Sequence, residues 1–378
     1  MRKKICFVVA LVDTAESFLR DHIEALSHEY DVYLAGNIKD EDKLKILNIK
    51  GWHHIGIERN ISIYSDVNAV CSAYWYFRKM NFDAVHSVTP KAGLVTAIAA
   101  YLAGIKHRTH IFTGQVWATR VGLMRWLLKS MDKLIATLNN HILVDGNSQR
   151  AFLVEEGVLK PNQAIVFHKG SICGVNSERF VPNELIRQQI RQEIGIPEGV
   201  LTYIFLGRLN HDKGIGELYE AFNRLAGEDN KVFLLLVGDD EGEYGTKFHN
   251  YKNIVEGKNF YYYGPTPYPE KLLNAGDVFV LPTYREGFGT SVLEAACMGI
   301  PCICSDAYGV VDAYVENETG LRCRVGDSDS LYHCMRAMLE NPVLVKTMGK
   351  ASRQRALTDF KGSILSECWL KFYEGILE

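Results

Sequence analysis

No apolar run in this 378-residue chain is long enough to cross a bilayer. The longest stretch without a charged residue, Ala92 to Ile105, falls short of the ~20 residues that a spanning helix needs. Paired cysteines are missing as well. The nine cysteines, at 6, 71, 173, 297, 302, 304, 323, 334 and 368, are odd in number and lack the spacing of a secreted disulfide framework or a zinc site, which points to a reducing cytosol. Neither sign of charge dominates: 42 Lys and Arg against 45 Asp and Glu leave a formal charge of -3, so no overall field draws the chain to nucleic acid. A secretory leader is not expected either, because the apolar run Ile5–Val12 is cut short by Asp13 and Glu16 and reads as a first strand. Glycine is missing from the turn that follows, Ala10 to Ser17, where a dinucleotide pyrophosphate would need close backbone approach. That argues against a nicotinamide enzyme.

The composition that remains, 47% hydrophobic and 23% charged, is that of a globular chain long enough for two to three domains of roughly 150 residues. Its pattern is one repeated theme. Short apolar runs at Ile5–Val12, Val32–Leu34, Ala84–Val88, His110–Phe112, His141–Val144 and Ala164–Phe167 alternate with helical spacing at Phe18–His28, Asp66–Met80, Leu94–Ala103 and Leu123–Leu138. After a polar stretch near 176–200 the rhythm restarts with runs at Tyr203–Leu206, Phe233–Val237, Tyr261–Tyr263, Val278–Leu281, Cys302–Cys304 and Leu321–Cys323. Two doubly wound α/β domains follow, with ligands expected at the carboxyl ends of the strands. Cys302 and Cys304 read as small apolar residues on one face of a buried strand rather than as metal ligands.

Two constellations in the second half carry chemistry. The run Tyr203–Leu206 ends in Gly207-Arg208-Leu209-Asn-His-Asp212-Lys213-Gly214 and leads into a helical pattern from Glu217, so Arg208 and Lys213 stand at a strand-to-helix turn. An arginine fork with a lysine point charge suits a diphosphate. The run Val278–Leu281 leads into Glu286-Gly-Phe288-Gly289-Thr290-Ser291-Val-Leu-Glu294, with Thr290 or Ser291 expected as N-cap and the amides of 289–291 expected to face an anion. Glu286 and Glu294 would each accept hydroxyl groups from different parts of one elongated ligand; a capping box between Ser291 and Glu294 is the alternative. Asp239-Asp240-Glu241 is an acidic turn after a strand, read as a solvated loop in preference to a metal site.

These motifs, with Val237-Gly-Asp239, Ala275-Gly-Asp-Val-Phe-Val-Leu-Pro282, Glu318-Thr-Gly-Leu321, Val85-His-Ser-Val-Thr-Pro-Lys-Ala-Gly93 and Gly174-Val-Asn-Ser-Glu-Arg-Phe180, resemble those of the family 4 type of GT-B glycosyltransferases. The resemblance covers nearly the whole chain. It implies two Rossmann-like domains facing each other across a cleft: residues 1–180 for the acceptor, with a C-terminal helix at 360–378 packing back on them, and 181–359 for the donor. It implies a retaining transfer of a hexose or N-acetylhexosamine from a nucleotide-diphosphate sugar, UDP before GDP, without a required metal or other cofactor. The acceptor would be a saccharide, lipid-linked or free, in bacterial capsule, O-antigen or glycan assembly.

By the same resemblance Arg208 and Lys213 hold the diphosphate, with Gly207, Phe288, Gly289, Thr290 and Ser291 beside them. Glu294 takes the ribose hydroxyls and Glu286 the donor sugar. The glycine pair and the histidine-glycine pair common in the family's first half are replaced by Val12-Asp13-Thr14 and Thr113-Gly114-Gln115, which leaves Asp13, Thr14, His86 and Gln115 as acceptor-side candidates. Arg120, Arg125, Lys129 and Lys133, along a helical pattern that also carries Trp126 and Leu127, predict peripheral contact with an anionic inner membrane face. A sugar-nucleotide epimerase or hydrolase on the same fold, and a non-catalytic nucleotide-sugar binding protein, are the alternative functions.

Overall fold

In the first apolar run, alternation decides what packs on each side. Ile5, Phe7 and Val9 join one core cluster and Cys6 and Val8 another, because successive strand residues point to opposite faces. A parallel strand buried on both faces needs helices on both. The structure, a computed structural model, describes residues 2–58 and 62–378; Met1 and residues 59–61 lie outside the described residues.

The chain divides into two compact units, residues 1–174 with 362–378, and residues 175–361. The first unit runs β1 (Lys4–Leu11), α1 (Val12–Phe18), α2 (Arg20–Ser27), β2 (Asp31–Asn37), β3 (Gly51–His54), α3 (Ile63–Met80), β4 (Ala84–Val88), α4 (Pro90–Ala103), β5 (His107–Phe112), α5 (Gly122–Leu138), β6 (His141–Val144), α6 (Asn147–Glu155) and β7 (Ala164–Ile165). Its seven strands pair in parallel in the order β3-β2-β1-β4-β5-β6-β7. Helix α4 is apolar on nearly every side because it packs between α3 and α5.

The second unit runs α7 (Glu184–Ile194), β8 (Leu201–Leu206), α8 (Ile215–Glu228), β9 (Val232–Val237), α9 (Tyr244–Lys247), β10 (Phe260–Gly264), α10 (Pro269–Leu273), β11 (Val278–Leu281), α11 (Thr290–Cys297), β12 (Cys302–Ser305), α12 (Val310–Ala313), β13 (Gly320–Cys323), α13 (Ser328–Glu340) and α14 (Pro342–Asp359). Its six parallel strands are ordered β10-β9-β8-β11-β12-β13. The last helix, α15 (Gly362–Leu377), belongs to the first unit, where it packs on α2 and buries Trp369 and Tyr373. Cys302 and Cys304 lie two apart in the fully buried β12 as free thiols.

Three details differ from the sequence reading. The first helical segment starts at Val12, directly after β1, and breaks at Leu19 instead of running from Phe18 to His28. The edge strand β3 was not expected. Residues 175–180, read as the end of the first domain, pack in the second unit: the Val175 amide donates to the Phe360 carbonyl at 2.7 Å, and Phe180 enters that unit's core.

Candidate active site

Strands β8 and β9 end side by side, and the segments beyond them stay paired. Gly207 N–H donates to the Val237 carbonyl at 3.0 Å and Leu209 N–H to the Asp239 carbonyl at 2.7 Å. This carries Arg208 out beside Glu241, whose carboxylate accepts from Arg208 Nη1 at 3.0 and 3.1 Å and from Asn210 Nδ2 at 2.8 Å. The acidic turn is therefore not a free solvated loop. Asp240 accepts from the amides of Gly242, Tyr244 and Gly245 at 3.2, 2.8 and 2.9 Å, which makes it the organiser of the turn into α9.

The loops after β8 and β11 are stitched together by Asp212. Its carbonyl accepts from Tyr284 N–H and Thr283 Oγ1, and one carboxylate oxygen accepts from Arg285 Nε and Nη2 at 2.9 and 2.6 Å. The loops approach so closely that a methyl group on Gly214, which has φ +70, would sit 2.1 Å from the Pro282 carbonyl oxygen. Gly214→Ala is expected to lower stability by about 2–4 kcal/mol through this overlap and the left-handed backbone together. A thermal midpoint within a degree of wild type would show that the loops can separate at no cost.

This stitching brings Lys213 onto Glu286, with which it forms an ion pair largely shielded from solvent. The sequence reading gave the two residues separate parts of a donor to hold; here they hold each other. Arg208 is likewise engaged, by Glu241. An incoming diphosphate would have to exchange with both carboxylates.

Helix α11 begins differently from expectation. Gly289, at φ +89, occupies the N-cap position, and Thr290 and Ser291 are the first two helical residues. Their amides lack intrahelical acceptors by helix geometry, so the anion-facing end survives with a new cap. Ser291 inside the helix rules out the capping box with Glu294. The Phe288 side chain is buried against Phe360, ring centroids 5.4 Å apart, which leaves only its backbone for a ligand. Glu294 is half-buried, and its carboxylate accepts no hydrogen bond among the described residues. Burial pushes the carboxyl up to about 7, the Arg179 charge opposing and Glu270 adding to the rise. Arg179 in turn donates to Glu270 Oε2 at 3.0 Å and to the Pro267 carbonyl at 2.6 Å. Sequence reasoning assigned no role to Asp212, Arg285 or Arg179, and it read Glu241 as part of a solvated loop. Asp212 and Arg179 stood inside quoted motifs, so position was the available signal.

The acceptor-side candidates fare unequally. His86 is enclosed in the first unit's core between Phe7 and Trp369, ring centroids 5.3 and 4.8 Å away, and Nδ1 meets the Tyr373 hydroxyl at 2.9 Å. Burial drives its pKa well below the ordinary histidine value, so it is a neutral core residue. Gln115 is also buried, its Nε2 bonded to the Thr113 carbonyl and its Oε1 3.4 Å from Gln149 Nε2. Only Asp13, exposed and paired with Lys43, and half-buried Thr14 lie on the first turn after β1 with surface to offer.

Residues 186–355 match the model of the family described as glycosyl transferases group 1. The chain is a glycosyltransferase. The glycosyltransferase is 27% identical to the capsular polysaccharide biosynthesis glycosyltransferase CapM of Staphylococcus aureus, across all of this chain and 99% of that one. It is 27% identical, over 80% of its length and 78% of the relative's, to the UDP-Gal:alpha-D-GlcNAc-diphosphoundecaprenol alpha-1,3-galactosyltransferase of Escherichia coli. Its fold is GT-B, shared with Anabaena HepE in complex with UDP and glucose, at a TM-score of 0.80 and 16% identity over 99% of this chain and all of that one. The match and the named relatives support a transferase over the epimerase, the hydrolase and the silent binding protein.

Proposed function

We propose that the glycosyltransferase moves a hexose or N-acetylhexosamine from a UDP-sugar to a lipid-linked saccharide, with retention at the anomeric carbon and without a metal ion. The observation that carries this reading is the pair of cations, Arg208 and Lys213, on the loop after β8 that Asp212 locks to the loop after β11 within the second unit. The E. coli relative's name specifies a UDP-sugar donor and a diphosphoundecaprenol acceptor, and HepE binds UDP and glucose.

In this reaction the bond from the sugar's anomeric carbon to the diphosphate oxygen breaks, leaving positive charge on the ring and negative charge on the oxygen. Arg208, Lys213 and the amides at the start of α11 supply the balancing positive charge. Lys213, drawn to phosphate, releases Glu286, whose carboxylate then accepts sugar hydroxyls. Glu294 accepts the ribose hydroxyls. The acceptor hydroxyl attacks on the face the leaving group departs from and gives its proton to the departing phosphate oxygen. Nine free cysteines and a nucleotide-sugar donor favour the cytoplasmic side of the membrane. Among the described residues no helix is long and apolar enough to cross it.

A panel of UDP- and GDP-sugars, offered with lipid-linked and free saccharides in EDTA, tests the proposal. The expected result is UDP release only when an acceptor is present, and a product that keeps the donor's anomeric configuration. Equal release without acceptor, an inverted product, or activity lost in EDTA and restored by Mn²⁺ would each overturn the corresponding part.

A further inference from the structure

Of the four basic residues predicted from sequence to face a membrane, Arg120 and Lys133 are exposed and the other two are engaged. Arg125 and Lys129 both bond Glu156, at 2.7 and 2.5 Å, and both lie over the Trp117 ring. What the layer formed by α3, α4 and α5 does present is apolar. Along α3, Tyr64, Val67, Cys71 and Trp75 recur at helical spacing and face solvent, with Tyr64 81% and Trp75 69% exposed. The stripe ends at exposed Arg78 and Lys79. On α5, Leu123 and Trp126 are 78% and 65% exposed, with exposed Lys133 two turns on.

The layer also lacks an exposed carboxylate among its described helical residues. Asp66 is half-buried and pairs with Lys91 at 2.8 Å, and Asp132 is buried against Trp117. The nearest exposed acid in sequence is Glu58, ahead of α3. The helices on the other face of the sheet expose Asp21, Glu24, Glu367 and Glu374. A chain of net charge -3 has thus cleared one helical layer of negative charge while leaving aromatic and aliphatic side chains in water there.

We infer that the outer face of the α3–α4–α5 layer is a surface for an anionic lipid bilayer, entered by Tyr64, Trp75, Leu123 and Trp126 and held by Arg78, Lys79 and Lys133. Tryptophan and tyrosine suit the interfacial zone, where a ring is half in hydrocarbon and its polar atom stays wet. Exposed cations on helices that expose no carboxylate suit anionic headgroups, although Arg78 shares a surface depression with Asp83 and Glu378. A protein partner of ordinary composition would leave three cations to be matched one by one; a bilayer supplies negative charge over the whole face. Helices α3 and α5 both start at the carboxyl edge of the strands, the edge at which open α/β sheets bind ligands. The inference rests in this respect on the lipid-linked acceptor proposed above, which the surface would receive from the membrane.

Cosedimentation with phosphatidylglycerol-containing and pure phosphatidylcholine vesicles tests it. Wild type is expected to bind the anionic vesicles and to release in high salt. Tyr64→Ser with Trp75→Ser should lower binding at least tenfold. Arg78→Gln, Lys79→Gln and Lys133→Gln should each lower it about fivefold, equivalent to about 1 kcal/mol per cation. Quenching of tryptophan fluorescence by brominated lipid should fall in Trp75→Phe, whose fold is checked by circular dichroism. Failure of wild type to bind anionic vesicles, or equal binding by the α3 variants, overturns the inference. So does a wild-type dimer that Trp75→Ser disperses without any vesicle binding, which would make a second copy the occupant. UDP affinity should be unchanged in every variant; a wild type that binds vesicles but not UDP would strike the donor assignment and leave this surface standing.

Discussion

Lys213→Ala is expected to lower turnover by about a hundredfold to a thousandfold, the cost of removing one preorganised donor to a developing negative charge. In the proposed reaction the ammonium, held in place by the Asp212 stitching, meets the leaving group, so the loss should fall on kcat more than on donor KM. A second effect accompanies it. The substitution strands the Glu286 carboxylate, 13% exposed, without its counter-charge, which should also lower the thermal midpoint. The double variant Lys213→Ala with Glu286→Gln should recover stability but not turnover, separating the two contributions. Arg208→Ala should show a comparable loss of turnover with less destabilisation, because its side chain is 50% exposed and its carboxylate partner keeps Asn210. Acceptor-dependent UDP release and thermal melting of the purified variants decide this. Near-normal turnover in folded Lys213→Ala would remove the residue from the diphosphate.

Glu294→Ala should weaken free UDP at least tenfold, whereas Glu286→Ala should leave UDP affinity near wild type and damage sugar transfer. Equal losses by calorimetry would contradict this division. The environment of Glu294 adds a pH signature. With its carboxyl pushed up to about 7, part of the population is protonated at neutral pH, and the ionised form is the better acceptor for two ribose hydroxyls. UDP affinity should therefore rise between pH 6 and pH 8, with proton release on binding below pH 7. Stability moves the other way. The folded-state value lies above the ordinary value of 4.5, so the contribution is complete below about 4.5 and is lost as pH rises through about 7. Glu294→Gln should accordingly melt higher than wild type at pH 8 and show no such gain at pH 4.5. Calorimetry in buffers of different ionisation enthalpy, with melting curves at both pH values, measures each part.

The central strands, buried on both faces, were legible as continuous apolar runs that stand out from the polar loops, and the partly exposed edge strands β7, β10 and β13 were legible as well. β3 was not among them: Gly51–His54 is a four-residue edge strand with exposed Trp52 and His54, and its composition resembles a loop. The candidate donor-site residues stand out in the sequence because each lies at the junction of a strand and a helix, a place that motif spacing marks. Their pairing was not. Lys213 meets Glu286 and Arg208 meets Glu241 only when separate βα turns are laid edge to edge, and nothing in either turn's own sequence announces its neighbour. His86 failed as a candidate for the same reason at greater range: its hydroxyl partner, Tyr373, comes from α15 at the far end of the chain. On α5, charge spacing by four correctly put Arg125 and Lys129 on one face, but the face turned inward because Glu156 and Trp117 wait there.

The return of α15 to the first unit has a consequence for the order in which the molecule is made. The second unit is one continuous stretch, residues 175–361, and can close as soon as that stretch has left the ribosome. The first unit cannot. His22, which bonds Ser366 Oγ at 2.9 Å, and Phe7, which packs against Trp369 and Tyr373, wait for a helix translated about 200 residues after the rest of their core, some 10–40 s at 5–20 residues per second. For that interval one side of the nascent sheet is covered only in part, by α1 and α2, and the half of the protein synthesised first is the half completed last.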